Sequence, residues 1–286
     1  MSDPVDPRPY SKLRVLSVSN QKGGVGKTTT TINLGTALAA VGERVLIIDL
    51  DPQGNASTGL GISRGQRKTT VYDVIVNGAP LVEAAVPTAL PRLDLAPSDA
   101  NLSGVELELA QAPRRSFRLR DAIAALRADP AGSPYSYVLI DCPPSLNLLT
   151  VNAMAAADAV LVPLQCEFFA LEGLTQLMRT VELVQGNLNP KLEIQGVVLT
   201  MYDKRNRLSE QVAQDVRQHF GDKVYRTMIP RNVRVSEAPS FGQPVLVYDL
   251  KCLGSQAYLN LAREVVGRER LRRGEVAELA AQGGAS

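Results

Sequence analysis

Two lysines, Lys22 and Lys27, bracket three glycines in the stretch Asn20–Ala39, NQKGGVGKTTTTINLGTALA. Gly23, Gly24 and Gly26, with Val25 among them, let the backbone come close to an anion. Their N–H groups, with the start of a following helix, supply positive potential there. In such a loop Lys27 reaches the β- and γ-phosphates, Thr28 offers its hydroxyl to a magnesium ion and Thr29 contacts the α-phosphate. Two further runs end in carboxylates. Arg44–Asp51 closes on Asp49 and Asp51, which a strand's period of two sets on one face, toward the crevice where such sheets bind ligands. Tyr137–Ile140 closes on Asp141, suited to contact magnesium through water. Asp49 is expected to be the more structural carboxylate, bonding near Lys27 or Thr28 or capping the turn marked by Pro52 and Gly54. Phosphoryl transfer needs an in-line water, a metal and positive charge near the γ-phosphate. Lys22, Lys27, Thr28, Asp51 and Asp141 cover those roles. With no strong general base beside them, slow intrinsic turnover is expected.

These residues must be held by alternating strands and helices. Strands are expected at Arg14–Asn20, Arg44–Asp51, Leu93–Ser98, Tyr137–Cys142, Ala159–Gln165, Ile194–Tyr202, Lys223–Ile229 and Val245–Tyr248. Several are nearly continuous apolar runs, the mark of central strands buried on both faces. Helices are expected at Lys27–Val41, Phe117–Ala128, Gly173–Gln185, Leu208–Phe220 and Ser255–Gly267. The alternation predicts an α/β fold with a doubly wound, mostly parallel sheet of about eight strands. Residues 13–270 are expected to form one domain, with flexible tails at 1–12 and 271–286. Of the residues, 45% are hydrophobic and 21% charged, which excludes a wholly disordered chain. The longest apolar runs, such as Val45–Leu50, are too short to cross a bilayer, and the Pro-rich start does not resemble a signal peptide. Three cysteines without CxxC spacing, and a single histidine, disfavour a disulfide framework, His-based metal sites and Ser-His-Asp chemistry. The expected compartment is the cytoplasm.

The phosphate loop departs from the ordinary pattern. Gln21 stands at its first glycine position, and Lys22 precedes the glycine pair, giving K-G-G-x-G-K-T-T. This is a deviant Walker A motif, and over about Leu13–Gly267 the chain resembles the ParA/Soj chromosome-partitioning ATPases of the short type, which lack an N-terminal helix-turn-helix. The resemblance implies a P-loop NTPase fold, ATP and Mg²⁺ as cofactors, and a dimer that sandwiches two nucleotides. In that family the lysine matching Lys22 crosses to the partner's ATP, and the aspartate matching Asp51 holds the attacking water and a magnesium-bound water. It also implies a ParB-type centromere-binding partner that stimulates hydrolysis, non-specific binding of double-stranded DNA by the dimer, and association with the nucleoid.

Met228–Val245 resembles the family's adenine-side segment. There Pro230, Arg231 and Asn232 could flank a purine, with Asn232 reading its edge or capping a helix. Val162–Leu174 leads into the family's interface helix and sets Gln165 and Glu167 near the nucleotide. The overall charge of +2 implies no polyanion partner, but Met201–Arg234 holds eight basic and four acidic residues. Basic residues matching Arg205 and Arg234 contact DNA in the family. With few aromatics nearby, the expected mode is phosphate neutralisation without base stacking. Three other readings compete. A membrane-bound relative resembling MinD would need a more apolar end than Arg268–Gln282, so no membrane partner is expected. An iron–sulfur carrier would need paired cysteines. A scaffold without turnover would not need both Asp51 and Asp141.

Overall fold

The computed structural model describes residues 13–128 and 133–274. The strands are β1 (Arg14–Val18), β2 (Val45–Asp49), β3 (Val86–Pro87), β4 (Leu93–Ala96), β5 (Tyr137–Asp141), β6 (Ala159–Gln165) and β7 (Glu193–Thr200). The α-helices are α1 (Lys27–Ala40), α2 (Asn55–Gly59), α3 (Leu81–Ala84), α4 (Val105–Glu108), α5 (Arg118–Arg127), α6 (Leu148–Ala156), α7 (Ala170–Asn187), α8 (Arg207–Phe220), α9 (Val233–Glu237), α10 (Val245–Tyr248) and α11 (Leu253–Arg272). The last runs to Arg272, just past the expected domain end. Of the tails expected at 1–12 and 271–286, residues 1–12 and 275–286 lie outside the described residues, while 271–272 belong to α11.

The sheet has the order β3-β4-β2-β5-β1-β6-β7 and is parallel except for β3, the two-residue edge strand that runs against β4. Period-two alternation divides the core. Leu46, Ile48, Val138 and Ile140 face a cluster built with α5, α6, α7 and α8. Leu16, Val18, Ile47 and Leu139 face the opposite cluster, with α1 and α11. Burial on both faces is what the unbroken apolar runs require. The strand order reverses on either side of β1, so the loops after β1, β2 and β5 open into one crevice at the strands' C-terminal ends.

The doubly wound, mostly parallel sheet is present, but with seven strands. Lys223–Ile229 forms no ladder: it meets β7 at the isolated bridge Val197–Val224, with Tyr225 N–H donating to Val197 O at 2.9 Å and Ile229 N–H to Leu199 O at 2.8 Å, and the next bridge, Tyr202–Pro230, lies just past its end. Between them the Arg226 and Thr227 N–H groups donate to the Glu264 carboxylate on α11, at 2.9 and 3.0 Å, and so leave the ladder. Val245–Tyr248 is a helical turn after Pro244, with Val245 and Leu246 buried. A short apolar run does not itself distinguish strand from helix. The Pro-containing β3 was too short to read.

At the opposite end of β1, Arg14 is 4% exposed. Its Nε lies 3.1 Å from Glu269 Oε1 on α11, and its Nη2 donates to Gln195 Oε1 on β7 at 2.7 Å. Gln195 Nε2 donates in turn to Glu269 Oε1 at 3.0 Å. With Glu193 Oε2 3.7 Å from Arg14 Nη2 and Arg272 Nε donating to Glu269 Oε2 at 3.2 Å, these contacts tie β1, β7 and α11 together under the sheet.

Candidate functional site

The loop between β1 and α1 needs two left-handed residues, and glycine supplies both: Gly24 at φ 75° and Gly26 at φ 86°. Gly26 is the N-cap of α1, and no side chain caps that helix end. Its first N–H groups are thus available for an anion. Other elements hold the loop. Asn20 Nδ2 donates to Pro163 O on β6, Gln21 Nε2 to Thr180 Oγ1 on α7, and Thr200 Oγ1 at the end of β7 to Val25 O, each at 2.8 Å. Asn20, Thr180 and Thr200 were not identified from the sequence. Only a strand-end Asn beside the loop could have hinted at the first.

The two lysines point to different surroundings. Lys27 is buried and donates to Lys22 O at 2.9 Å. Burial lowers its pKa, opposed by the charge of nearby Asp141. Lys22 lies at the rim, 39% exposed, with Nζ 2.7 Å from Glu167 Oε2. Glu167 Oε1 also accepts a bond from Gln165 Nε2, so the two residues expected near the nucleotide do sit beside the loop.

Asp49 and Asp141 are register partners on neighbouring β2 and β5, both fully buried. Burial raises both acids, and for Asp141 the charge of Asp49 adds to it. Asp49 does not bond Lys27 or Thr28. Its Oδ2 accepts from Ser57 N–H at 2.8 Å and Ser57 Oγ at 2.6 Å, and its Oδ1 from Asp51 N–H at 3.2 Å. It therefore fixes the turn into α2, the capping alternative. Asp51 is half-buried at the mouth of that turn, its Oδ1 accepting from Gln53 N–H at 2.9 Å. Asp141 Oδ1 accepts from Thr31 Oγ1 at 3.1 Å, while its Oδ2 is buried with no hydrogen-bond partner among the described residues. An orphaned buried carboxylate oxygen calls for a cation or an ordered water. The described residues contain no group of three or more His, Cys, Asp or Glu able to hold a metal. A hard ion that keeps most of its waters needs few protein ligands, and a single buried carboxylate oxygen can serve it.

Farther along the crevice, Pro230 bridges Tyr202, and Arg231 N–H donates to Tyr202 O at 3.0 Å. Asn232 caps α9, its Oδ1 accepting from Arg234 N–H at 2.9 Å. Arg231 lines a cavity of about 310 Å³ with Gln165, Glu167, Met201 and Asp203. Met201, with left-handed φ of 51°, turns the chain at the end of β7 beside the phosphate loop. Such a strained non-glycine residue is common at ligand sites and carries no sequence signal. Arg205 is 85% exposed and pairs with Asp203 at 3.0 Å. Arg234 is 53% exposed and lies 3.1 Å from Glu237 and 3.6 Å from Asp249.

Over 265 residues the chain is 76% identical to chromosome partitioning protein ParA of Caulobacter vibrioides, covering 93% of this chain and 98% of that one. The chain belongs to the ParA/Soj family of chromosome-partitioning ATPases. It is also 50% identical over 252 residues to the sporulation initiation inhibitor protein Soj of Bacillus subtilis, covering 88% of this chain and 98% of the relative. A family model described as an AAA domain matches residues 13–194, from β1 to the start of β7. Among solved structures, cobyrinic acid a,c-diamide synthase of Mycobacterium smegmatis with bound ADP and magnesium superposes with a TM-score of 0.77. It is 36% identical and covers 92% of this chain and 96% of that one. Within this ParA/Soj chain, no described helix is long and apolar enough to cross a membrane.

Proposed function

We propose that this chain binds Mg-ATP in the β1–α1 loop, closes with a second copy over two nucleotides, and hydrolyses ATP slowly. In this reading the dimer holds double-stranded DNA without sequence preference. Hydrolysis, stimulated by a ParB-type partner, releases it, which partitions DNA on the nucleoid in the cytoplasm without a membrane partner. The observation that carries the reading is the divergence of the two lysines. Lys27 is buried and turned into its own loop, while Lys22 stands half-exposed at the rim with its Nζ on Glu167. One loop thus offers a cation to its own phosphates and a second to a facing molecule, and a second cation offsets the charge of two facing triphosphates.

Gly23, Gly24, Val25, Gly26, Lys27, Thr28 and Thr29 cradle the phosphates, and Pro230, Arg231 and Asn232 flank the base. Thr28, Asp141 and, through water, Asp51 would hold magnesium, which when bound shields phosphate charge. The orphan Oδ2 of Asp141 supports that set. Asp51, at the mouth of the crevice, orients the attacking water. Arg205 and Arg234 exchange their carboxylate partners for DNA phosphates, a contact that weakens with salt.

DNA binding measured in a non-hydrolysable ATP analogue, in ADP and without nucleotide, over a range of salt, tests the reading. Tight binding is expected only with the analogue, lost in Arg205→Glu and Arg234→Glu. Equal binding in all three states would refute it.

A further inference from the structure

Asp51 acts at a distance set by the loop that carries it, and that loop is clamped from outside. Ser98, fully buried just past β4, donates its Oγ to Asp51 O at 2.5 Å. Its N–H donates to Ser57 Oγ at 3.1 Å, the same hydroxyl that donates to Asp49. Arg67 grips the other side. Its Nη1 donates to Ser98 O at 3.0 Å, its Nη2 to Thr58 Oγ1 and Ile62 O at 3.0 Å, and its Nε to Ile62 O at 3.3 Å. The guanidinium also lies over Gly54, where a Cβ would come within 2.5 Å of Nη1. Arg67 pairs with no carboxylate in these contacts. Among the described residues, every side-chain hydrogen bond it makes goes to the Asp51–Ile62 segment or to Ser98.

We infer that Arg67 and Ser98 are positioning residues for ATP hydrolysis, holding the Asp51 loop so that Asp51 stays aligned for the attacking water. The inference rests on the role given to Asp51 under Proposed function. The phosphate loop is pegged independently, by β6, α7 and β7, so loosening the Asp51 loop leaves nucleotide affinity in place. A reacting group displaced by a fraction of an ångström loses rate without losing binding. Arginine is needed because a planar fork reaches several acceptors at once, which a single ammonium does not.

The test is single-turnover ATP hydrolysis and fluorescent-ATP titration of Arg67→Ala, Arg67→Lys and Ser98→Ala, each also combined with Asp51→Ala. Arg67→Ala is expected to lose about tenfold in turnover with ATP affinity within about twofold. Arg67→Lys recovers little of that loss. Ser98→Ala, which removes one hydroxyl and keeps the fold, loses about threefold. Beside Asp51→Ala, neither change costs anything further, because each acts through Asp51. Three results would overturn the inference: wild-type turnover in Arg67→Ala and Ser98→Ala, affinity falling in step with turnover, or an undiminished loss in the Asp51→Ala background. A wild-type chain that binds ATP but never hydrolyses it would overturn the hydrolytic reading itself, and is told apart by the unmodified protein.

Discussion

The two ends of the central strand β1 bury charge in opposite ways. Under the sheet, Arg14 lies 3.1 Å from Glu269 Oε1 and donates its Nη2 to Gln195, so its charge has a partner although Nε itself makes no hydrogen bond. Above it, Asp49 and Asp141 are buried side by side, Asp141 Oδ2 has no described partner, and Lys27 bonds only a carbonyl of its own loop. The lower end pairs opposite charges within the chain and serves stability. The upper end is left incomplete, and a triphosphate with magnesium would complete it.

The comparison breaks most visibly at the lower end. Glu269→Ala leaves Arg14 buried with only Gln195 and, at 3.7 Å, the more exposed Glu193 as partners, and should cost about 3 kcal/mol in denaturant unfolding while the folded fraction binds ATP normally. A loss of affinity with little loss of stability would reverse the roles assigned to the two ends. At the upper end, Lys27→Ala should weaken fluorescent ATP at least about 100-fold, roughly 2.7 kcal/mol, with the unfolding midpoint nearly unchanged. Asp141→Asn sharpens the contrast. Neutralising a carboxylate disfavoured by burial and by Asp49 should raise nucleotide-free stability by about 1 kcal/mol and abolish the gain in ATP affinity on adding Mg²⁺. The smallest effect belongs to Glu167→Ala at the rim. The Lys22–Glu167 pair is half-exposed, so unfolding should change by less than about 1 kcal/mol. A larger change would make that pair part of the scaffold.

The upper end was largely legible in the sequence, because phosphate chemistry dictates residue types at short spacing. Lys22 to Thr29 could be read in one stretch, and Asp141 stood where an apolar run closes. Asp49 was only half legible, since its partner Ser57 is reached by a turn whose geometry no pattern reports. Ser98 and Arg67 were invisible because they meet the Asp51 loop from distant chain. In the fold, the central strands read well from their apolar runs. Lys223–Ile229 did not, because Glu264 draws its N–H groups out of the ladder. Nor did Val245–Tyr248, whose Val245 N–H is taken by Asn33 Oδ1 on α1.

The most direct test of the account is the mass of the particle in solution, by sedimentation, with Mg²⁺ and a non-hydrolysable ATP analogue, with ADP, and without nucleotide. The account predicts a species of about twice the 30.8 kDa chain with the analogue alone, reduced to the single chain by Lys22→Ala. A particle that stays at 30.8 kDa when saturated with the analogue would contradict it.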